Sequence, residues 1–168
     1  MWNKFIIKKG NHFSGFRVSP LLGVNKMGRM VFFGASSEYD LNNPEQQEST
    51  NKLFGFSYGY HKKNSLRFGW RYNLNERKIE VLPFIHDNGK MIIGPVLGKI
   101  NPNEEISLKI IKEKKTAKFI SEIEGNRSEY SYSEFNPKCF IGYKLYPYFG
   151  GMSVSPHNIE IFMKKILF

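Results

Sequence analysis

The chain has 168 residues and a mass of 19.6 kDa, the size of one ordinary domain, and a chain of this length buries roughly 70% of its unfolded surface in a single core. A hydrophobic share of 40% and an aromatic share of 15% exclude disorder for the whole chain. Lys and Arg number 25 against 15 Asp and Glu, a formal charge of +10 and a pI near 9.6, which points to a polyanionic partner: nucleic acid, acidic glycan, anionic membrane or an acidic protein face.

Cys139 is the lone cysteine, so no internal disulfide forms and a reducing compartment is the simpler setting. The apolar run Phe5 to Ile7 ends at Lys8 and is too short for a signal-peptide core, and no segment approaches the roughly 20 apolar residues of a membrane span. These features predict a cytoplasmic, soluble protein that does not engage a membrane, built as one domain over 1–168.

In chain order, residues 2–8 read as a first strand and His12 to Ser19 as a second, ended by Pro20. Arg29 to Gly34 is a third apolar run. The acidic segment that follows holds Asn43 and Pro44, a helix-start pair, since Asn accepts the orphan amides and Pro suits the first helical position. One helix of one or two turns is expected there.

Residues 53–72, LFGFSYGYHKKNSLRFGWRY, are the most informative stretch. Phe54, Phe56, Tyr58 and Tyr60 share one face of a pleated strand, and Leu66, Phe68, Trp70 and Tyr72 share one face of the next. The opposite faces carry Leu53, Gly55, Ser57 and Gly59 on the first arm, and Ser65, Arg67, Gly69 and Arg71 on the second. Each arm thus has a bulky face for a core and a small or cationic face open to a ligand.

Lys78 to His86 alternates again. Asp87-Asn88-Gly89-Lys90 is a tight hairpin turn, because Asn and Gly tolerate positive φ. Pro83 lacks a ladder donor, which predicts an edge position or a bulge. A return strand follows from Met91, and Asn101 to Asn103 forms the next turn. Two more strands, Glu105 to Lys112 and Thr116 to Ile123, are joined by a bend at Glu113 to Lys115. Residues 125–136, rich in Ser, read as a longer loop. Lys138 to Gly151 restores the aromatic strand pattern, and Asn158 to Ile166 is the last strand. Many short strands with Gly, Pro and Asn turns predict an all-β, antiparallel β-sandwich of jelly-roll type, with one short helix in a loop.

Three segments, KLFGFSYGYHKKNSLRFGWRY, the strand pair around Asp87 to Lys90, and GYKLYPYFGGMSVSPHNIEI, together resemble small single-domain β-sandwich proteins of Bacteroidota and their phages, whose function is largely unassigned. The layout also resembles the concanavalin-like jelly rolls, in which two curved antiparallel sheets pack face to face and the concave face takes a ligand, often a glycan. That resemblance implies Arg67 and Arg71 on the concave face. Within this class RFGWR at 67–71, FIH at 84–86 and YPYFGG at 146–151 follow the order of the Arg, Gln-Ile-His and Tyr strands of alginate-type polysaccharide lyases. The implied roles are carboxylate neutralisation for Arg67 and proton transfer for His86 and Tyr148. The chain departs from that pattern where Phe84 replaces the Gln, where Gly69 and Trp70 replace an acidic-apolar pair, and where the late strand lacks the Lys and second Tyr. No catalytic residue is therefore assigned and no enzymatic activity is expected.

His12, His61, His86 and His157 lack any His or Cys at ligand spacing, so no metal or other cofactor is assigned. The best-founded site is a basic cluster, Lys62, Lys63, Arg67, Arg71, Arg77 and Lys78, interrupted only by Glu76. Arg67 and Arg71 point the same way about 13 Å apart at the usual strand rise. Lys112, Lys114, Lys115 and Lys118 form a second cluster at a hairpin bend, read as a solvated turn. The sequence thus predicts a non-enzymatic binding protein for nucleic acid or a nucleic-acid-bearing protein complex. A phage-derived inhibitor of a nucleic-acid-guided defence nuclease, in the manner of an anti-CRISPR protein, is one concrete form. The alternative is a carbohydrate-binding domain or polysaccharide lyase of the concanavalin-like class, with a glycan as partner.

Overall fold

A computed structural model describes residues 1–168. Strand accounts for 51% of the chain and helix for 4%, so the protein is all-β. The strands are β1 Asn3–Ile7, β2 Pro20–Leu22, β3 Lys26–Phe33, β4 Asn51–Ser57, β5 Ser65–Asn73, β6 Lys78–Asp87, β7 Lys90–Ile93, β8 Gly98–Ile100, β9 Ile106–Glu113, β10 Thr116–Ile123, β11 Asn126–Tyr132, β12 Ile141–Leu145 and β13 Ile159–Lys165. They form two antiparallel sheets. The first runs β1-β13-β3-β9-β10-β11 and the second β2-β12-β4-β5-β6-β7, with β8 also paired to β6.

The two sheets face each other across an aromatic core. Trp70, Phe68, Phe54, Phe56 and Phe33 are fully enclosed. Trp70 packs at 5.1 Å from Phe33, 5.8 Å from Tyr39 and 6.3 Å from Phe149, tilted and edge-on geometries that suit ring quadrupoles. Phe68 meets Phe119 of the first sheet edge-on at 5.4 Å. The inward face expected for Leu66, Phe68, Trp70 and Tyr72 is the observed one. Tyr60 departs from it, exposed at 61%, because β4 ends at Ser57 and the chain has already turned.

The helix is present as α1, Pro44–Gln47. Asn43 Oδ1 accepts from the Gln46 amide, and Pro44 opens the first turn. A 3-10 turn, Ala35–Ser37, precedes it.

Three expectations are corrected. His12 to Ser19 forms no strand. Gly15 sits at φ 112°, and the segment holds on through scattered bonds, Phe149 N to His12 O and Lys144 N to Ser19 O, with Phe13 bridging Tyr148. The loop expected over 125–136 contains β11, an edge strand that needs only Tyr130 and Tyr132 against the core and leaves its polar residues in water. Pro83 is neither at an edge nor in a bulge. It pairs with Phe68 of β5, and its outer side falls where β6 changes partner from β7 to β8, so its missing N–H costs no ladder bond.

The bulge lies instead in β4, where the register with β5 shifts between Lys52 and Phe54. Lys52 opposes Gly69 and Phe54 opposes Phe68, so Lys52 faces outward and Phe54 inward, with Leu53 absorbing the extra residue.

Truncating Trp70 to Ala is expected to cost about 3 to 5 kcal/mol, the usual penalty for emptying an aromatic core site. Denaturant unfolding measures it, and a variant as stable as the parent would contradict this core.

Candidate functional site

The outward face of the second sheet carries the chemistry. On β5 it presents Ser65, Arg67, Gly69 and Arg71, opposed on β6 by His86, Phe84, Leu82 and Glu80 and on β4 by Ser57, Gly55 and Lys52. On β12 Leu145 opposes Gly55, and Tyr143 lies two residues away on the same face; beyond them Tyr148 bridges Lys52. The small residues Gly69, Gly55, Ser65 and Ser57 line up along β4 and β5 as a floor, and the large residues of β6 and of β12 with Tyr148 stand on either side. The result is a groove parallel to the strands. Its outward side chains are recessed, Phe84 at 2% and Arg67 at 7% exposure.

Arg67 lies across this floor. A Cβ at Gly55 would run into the Leu66 carbonyl and the Arg67 side chain, so the glycine is what lets the guanidinium reach over β4, where Nη2 donates to the Tyr146 carbonyl at 2.8 Å. Its Nε is buried and has no hydrogen-bond partner in the protein. Lys52 stands beside it, Nζ donating to the Gly150 carbonyl at 2.9 Å and lying 4.9 Å from the Phe84 ring and 5.6 Å from the Tyr148 ring.

Above Arg67 two histidines meet. The Tyr143 hydroxyl accepts from the His61 amide at 3.1 Å and sits 2.7 Å from His61 Nδ1. The hydroxyl oxygen has a second lone pair as well as its proton, so it can pair with Nδ1 in either tautomer of the ring. Ser65 Oγ donates to the His61 carbonyl at 2.7 Å and lies 3.4 Å from His86 Nδ1.

The electrostatics have one sign. Burial pulls the Arg67 guanidinium down to about 9. Burial, then Arg67 and Lys62, lowers Lys52 to about 8. His61 falls to about 4 through burial, Arg67, His86 and Lys62, and His86 is lowered by burial, Arg67, Lys52 and Lys62. No carboxylate offsets this cluster: Glu80, on the same face, is held by Arg71 Nε at 2.7 Å and Asn73 at 2.9 Å. A recessed set of cations without a counterion leaves positive charge uncompensated within the fold.

The predicted cluster is therefore divided. Arg67 is at the centre of the groove. Arg71 is on the same face but committed to Glu80 and the Glu48 carbonyl. Lys62 and Lys63 sit on the β4–β5 turn at one end, and Arg77 and Lys78 on the β5–β6 turn at the other, where Lys78 Nζ donates to Asn101 Oδ1 at 2.7 Å. His86 and Tyr148, named by the lyase resemblance, share the groove with Arg67. Lys52, His61 and Tyr143 were not singled out by sequence. Strict alternation places Lys52 on the inward face with Phe54, and only the bulge brings it outward.

No protein-family model and no curated protein matches this chain. Solved structures share its fold. An alginate lyase from Klebsiella pneumoniae superposes with a TM-score of 0.59 at 11% identity, over 84% of this chain and 58% of that one. A GH43 protein from Bacillus licheniformis gives 0.54 at 13% identity, over 87% and 28%. A functionally unknown protein from Saccharomyces cerevisiae gives 0.54 at 10% identity, over 99% and 96%. The chain thus spans little more than half of the lyase and under a third of the GH43 protein, and these likenesses show the fold.

Unfolding returns both groove imidazoles toward the ordinary 6.5, so below that pH the unfolded chain binds protons the folded one does not. Their contribution is intact above about pH 6.5 and is lost as pH falls toward 4. The parent is expected to lose thermal stability across this window, and the His61→Asn, His86→Gln double variant to lose less. Parallel melting curves for the two proteins would contradict the neutral histidine pair.

Proposed function

We propose that the protein binds an acidic glycan, a polysaccharide carrying carboxylates, in the outward groove of the second sheet. The observation that carries this reading is the buried Arg67 with its unpartnered Nε, beside Lys52 and facing no acid. A bound carboxylate supplies the missing charge and accepts from Lys52 Nζ beside the Arg67 guanidinium. Half-buried Tyr148 and Tyr143 offer ring edges to the apolar side of sugar rings. The shared fold with an alginate lyase makes a polyuronate the first class to try.

The chain's charge alone equally suited a nucleic acid, and a phosphodiester chain is the competing ligand. Binding, with no turnover, is the activity proposed: Phe84 stands where the lyase pattern has an amide donor, leaving carboxylate neutralisation to Arg67 and Lys52 alone.

Oligouronate binding by calorimetry tests this. Arg67→Ala is expected to weaken it by about tenfold or more, the usual effect of removing a charged hydrogen-bond donor. Lys52 titrates near 8 in the empty groove, and an anion favours its charged form, so parental affinity falls as pH rises from 7 to 9. Lys52→Gln binds more weakly at pH 7 and loses that dependence. Unaltered binding by either variant, equal affinity for an uncharged glycan, or tighter binding of single-stranded RNA would overturn the reading.

A further inference from the structure

Charge in this protein is sorted along the strand direction. The β4–β5, β6–β7 and β9–β10 turns lie at one end of the sandwich although they are far apart in sequence. Gly89 N donates to the Lys63 carbonyl and Asn88 N to Asn64 Oδ1, joining the first two turns. Tyr58 donates to the Val24 carbonyl, Lys112 N to the Asn25 carbonyl, and Lys112 Nζ lies 5.8 Å from the Tyr58 ring, joining the third from across the core. Lys62, Lys63, Lys90, Lys112, Lys114 and Lys115 thus converge, all exposed except half-buried Lys112. Of the 15 acidic residues, only Asp87, Glu113 and Glu134 belong to this end, and Asp87 accepts from Tyr132. The opposite end carries most of the remaining acids, including Glu38, Asp40, Glu45, Glu76, Glu104 and Glu124.

The groove points toward the basic end. Its floor runs along β4 and β5 from Gly69 to Ser65, about 13 Å at the usual strand rise, a length comparable to about three sugars, with Arg67 lying across it. At the Gly69 end Thr50 closes it, since a Cβ on Gly69 would meet the Thr50 methyl and the Asn51 carbonyl. At the Ser65 end His61 stands over the floor, its carbonyl accepting from Ser65 Oγ and its amide donating to the Tyr143 hydroxyl, and Lys62 and Lys63 follow on the turn beyond it.

We infer that this basic end is a second contact surface for the same ligand: a polyuronate seated in the groove leaves it over the β4–β5 turn and continues across the three converging turns. This rests on the groove reading and adds to it a ligand longer than the groove and a fixed direction. The end has flexible lysines and no recessed pocket, so it recognises charge spacing and contributes through long-range attraction, which salt screens.

The test compares a uronate trimer with long alginate chains on three proteins: the parent, Lys90→Glu with Lys114→Glu and Lys115→Glu at the basic end, and Lys8→Glu with Lys9→Glu and Arg77→Glu at the other. The two variants carry the same change in net charge, and melting curves establish that each folds. The parent is expected to hold the long chain more tightly than the trimer. The basic-end variant should keep the trimer affinity but bind the long chain about tenfold more weakly, with a flatter salt dependence; the opposite-end variant should match the parent. Undiminished long-chain affinity in the basic-end variant, equal losses in both variants, or no preference of the parent for the long chain overturns this inference and leaves the groove standing. A parent that binds neither ligand removes both.

Discussion

One extra residue in β4 decides what this protein presents to solvent. Without the bulge at Leu53, either Phe54 and Phe56 or Asn51 and Lys52 would be on the wrong side of the sheet. With it, Asn51 turns inward to donate to the Tyr39 hydroxyl and accept from the Gly150 amide, three rings fill the core, and Lys52 stands outside beside Arg67. A change of one residue in register exchanges the two faces of a strand. The core and the groove are therefore two sides of a single local decision.

Holding Arg67, Lys52, His61 and His86 together without an acid works against folding, because each cation is desolvated and repelled by the others. The arrangement persists because the aromatic layer beneath β5 fixes where its outward side chains must stand. The histidines lessen the repulsion by staying neutral, and burial beside Arg67 and Lys62 favours that state. Arg71, four residues along the same face, is paired with the buried Glu80. The contrast between the two arginines separates a cation paired within the protein from one left without a counterion.

Much of the fold was legible because it rests on local rules. Alternation marked β4, β5, β6, β9 and β10, Asn43-Pro44 marked α1, and Asp87 to Lys90 marked the β6–β7 turn. What escaped depends on tertiary context. Asn126 to Tyr132 has no apolar stripe because an edge strand needs few core contacts, and His12 to Ser19 has the right residue types but no neighbour offering a full ladder. Of the site, Arg67 was legible from the small-or-cationic face of β5, and His86 and Tyr148 from the lyase resemblance. Lys52 was hidden by the bulge, and the Tyr143–His61 pair, 82 residues apart, exists only once β12 docks on β4. Clustering of charge along the sequence misled in both directions: Arg77 and Lys78 were grouped with Lys62 and Lys63 but sit at the opposite end of the sandwich, whereas Lys114 and Lys115 lie at the same end as Lys63.

The gathering of most acids at one end, against a lysine-rich end that holds few of them, gives the molecule a permanent dipole along its strands. In the field of a long polyanion such a body experiences a torque as well as a pull, and it is turned groove-end first before any contact forms. Orientation is usually what separates a protein's docking rate from the diffusion limit. Here the acidic end acts as a rudder, since its repulsion rejects the backward approach that net charge alone would permit.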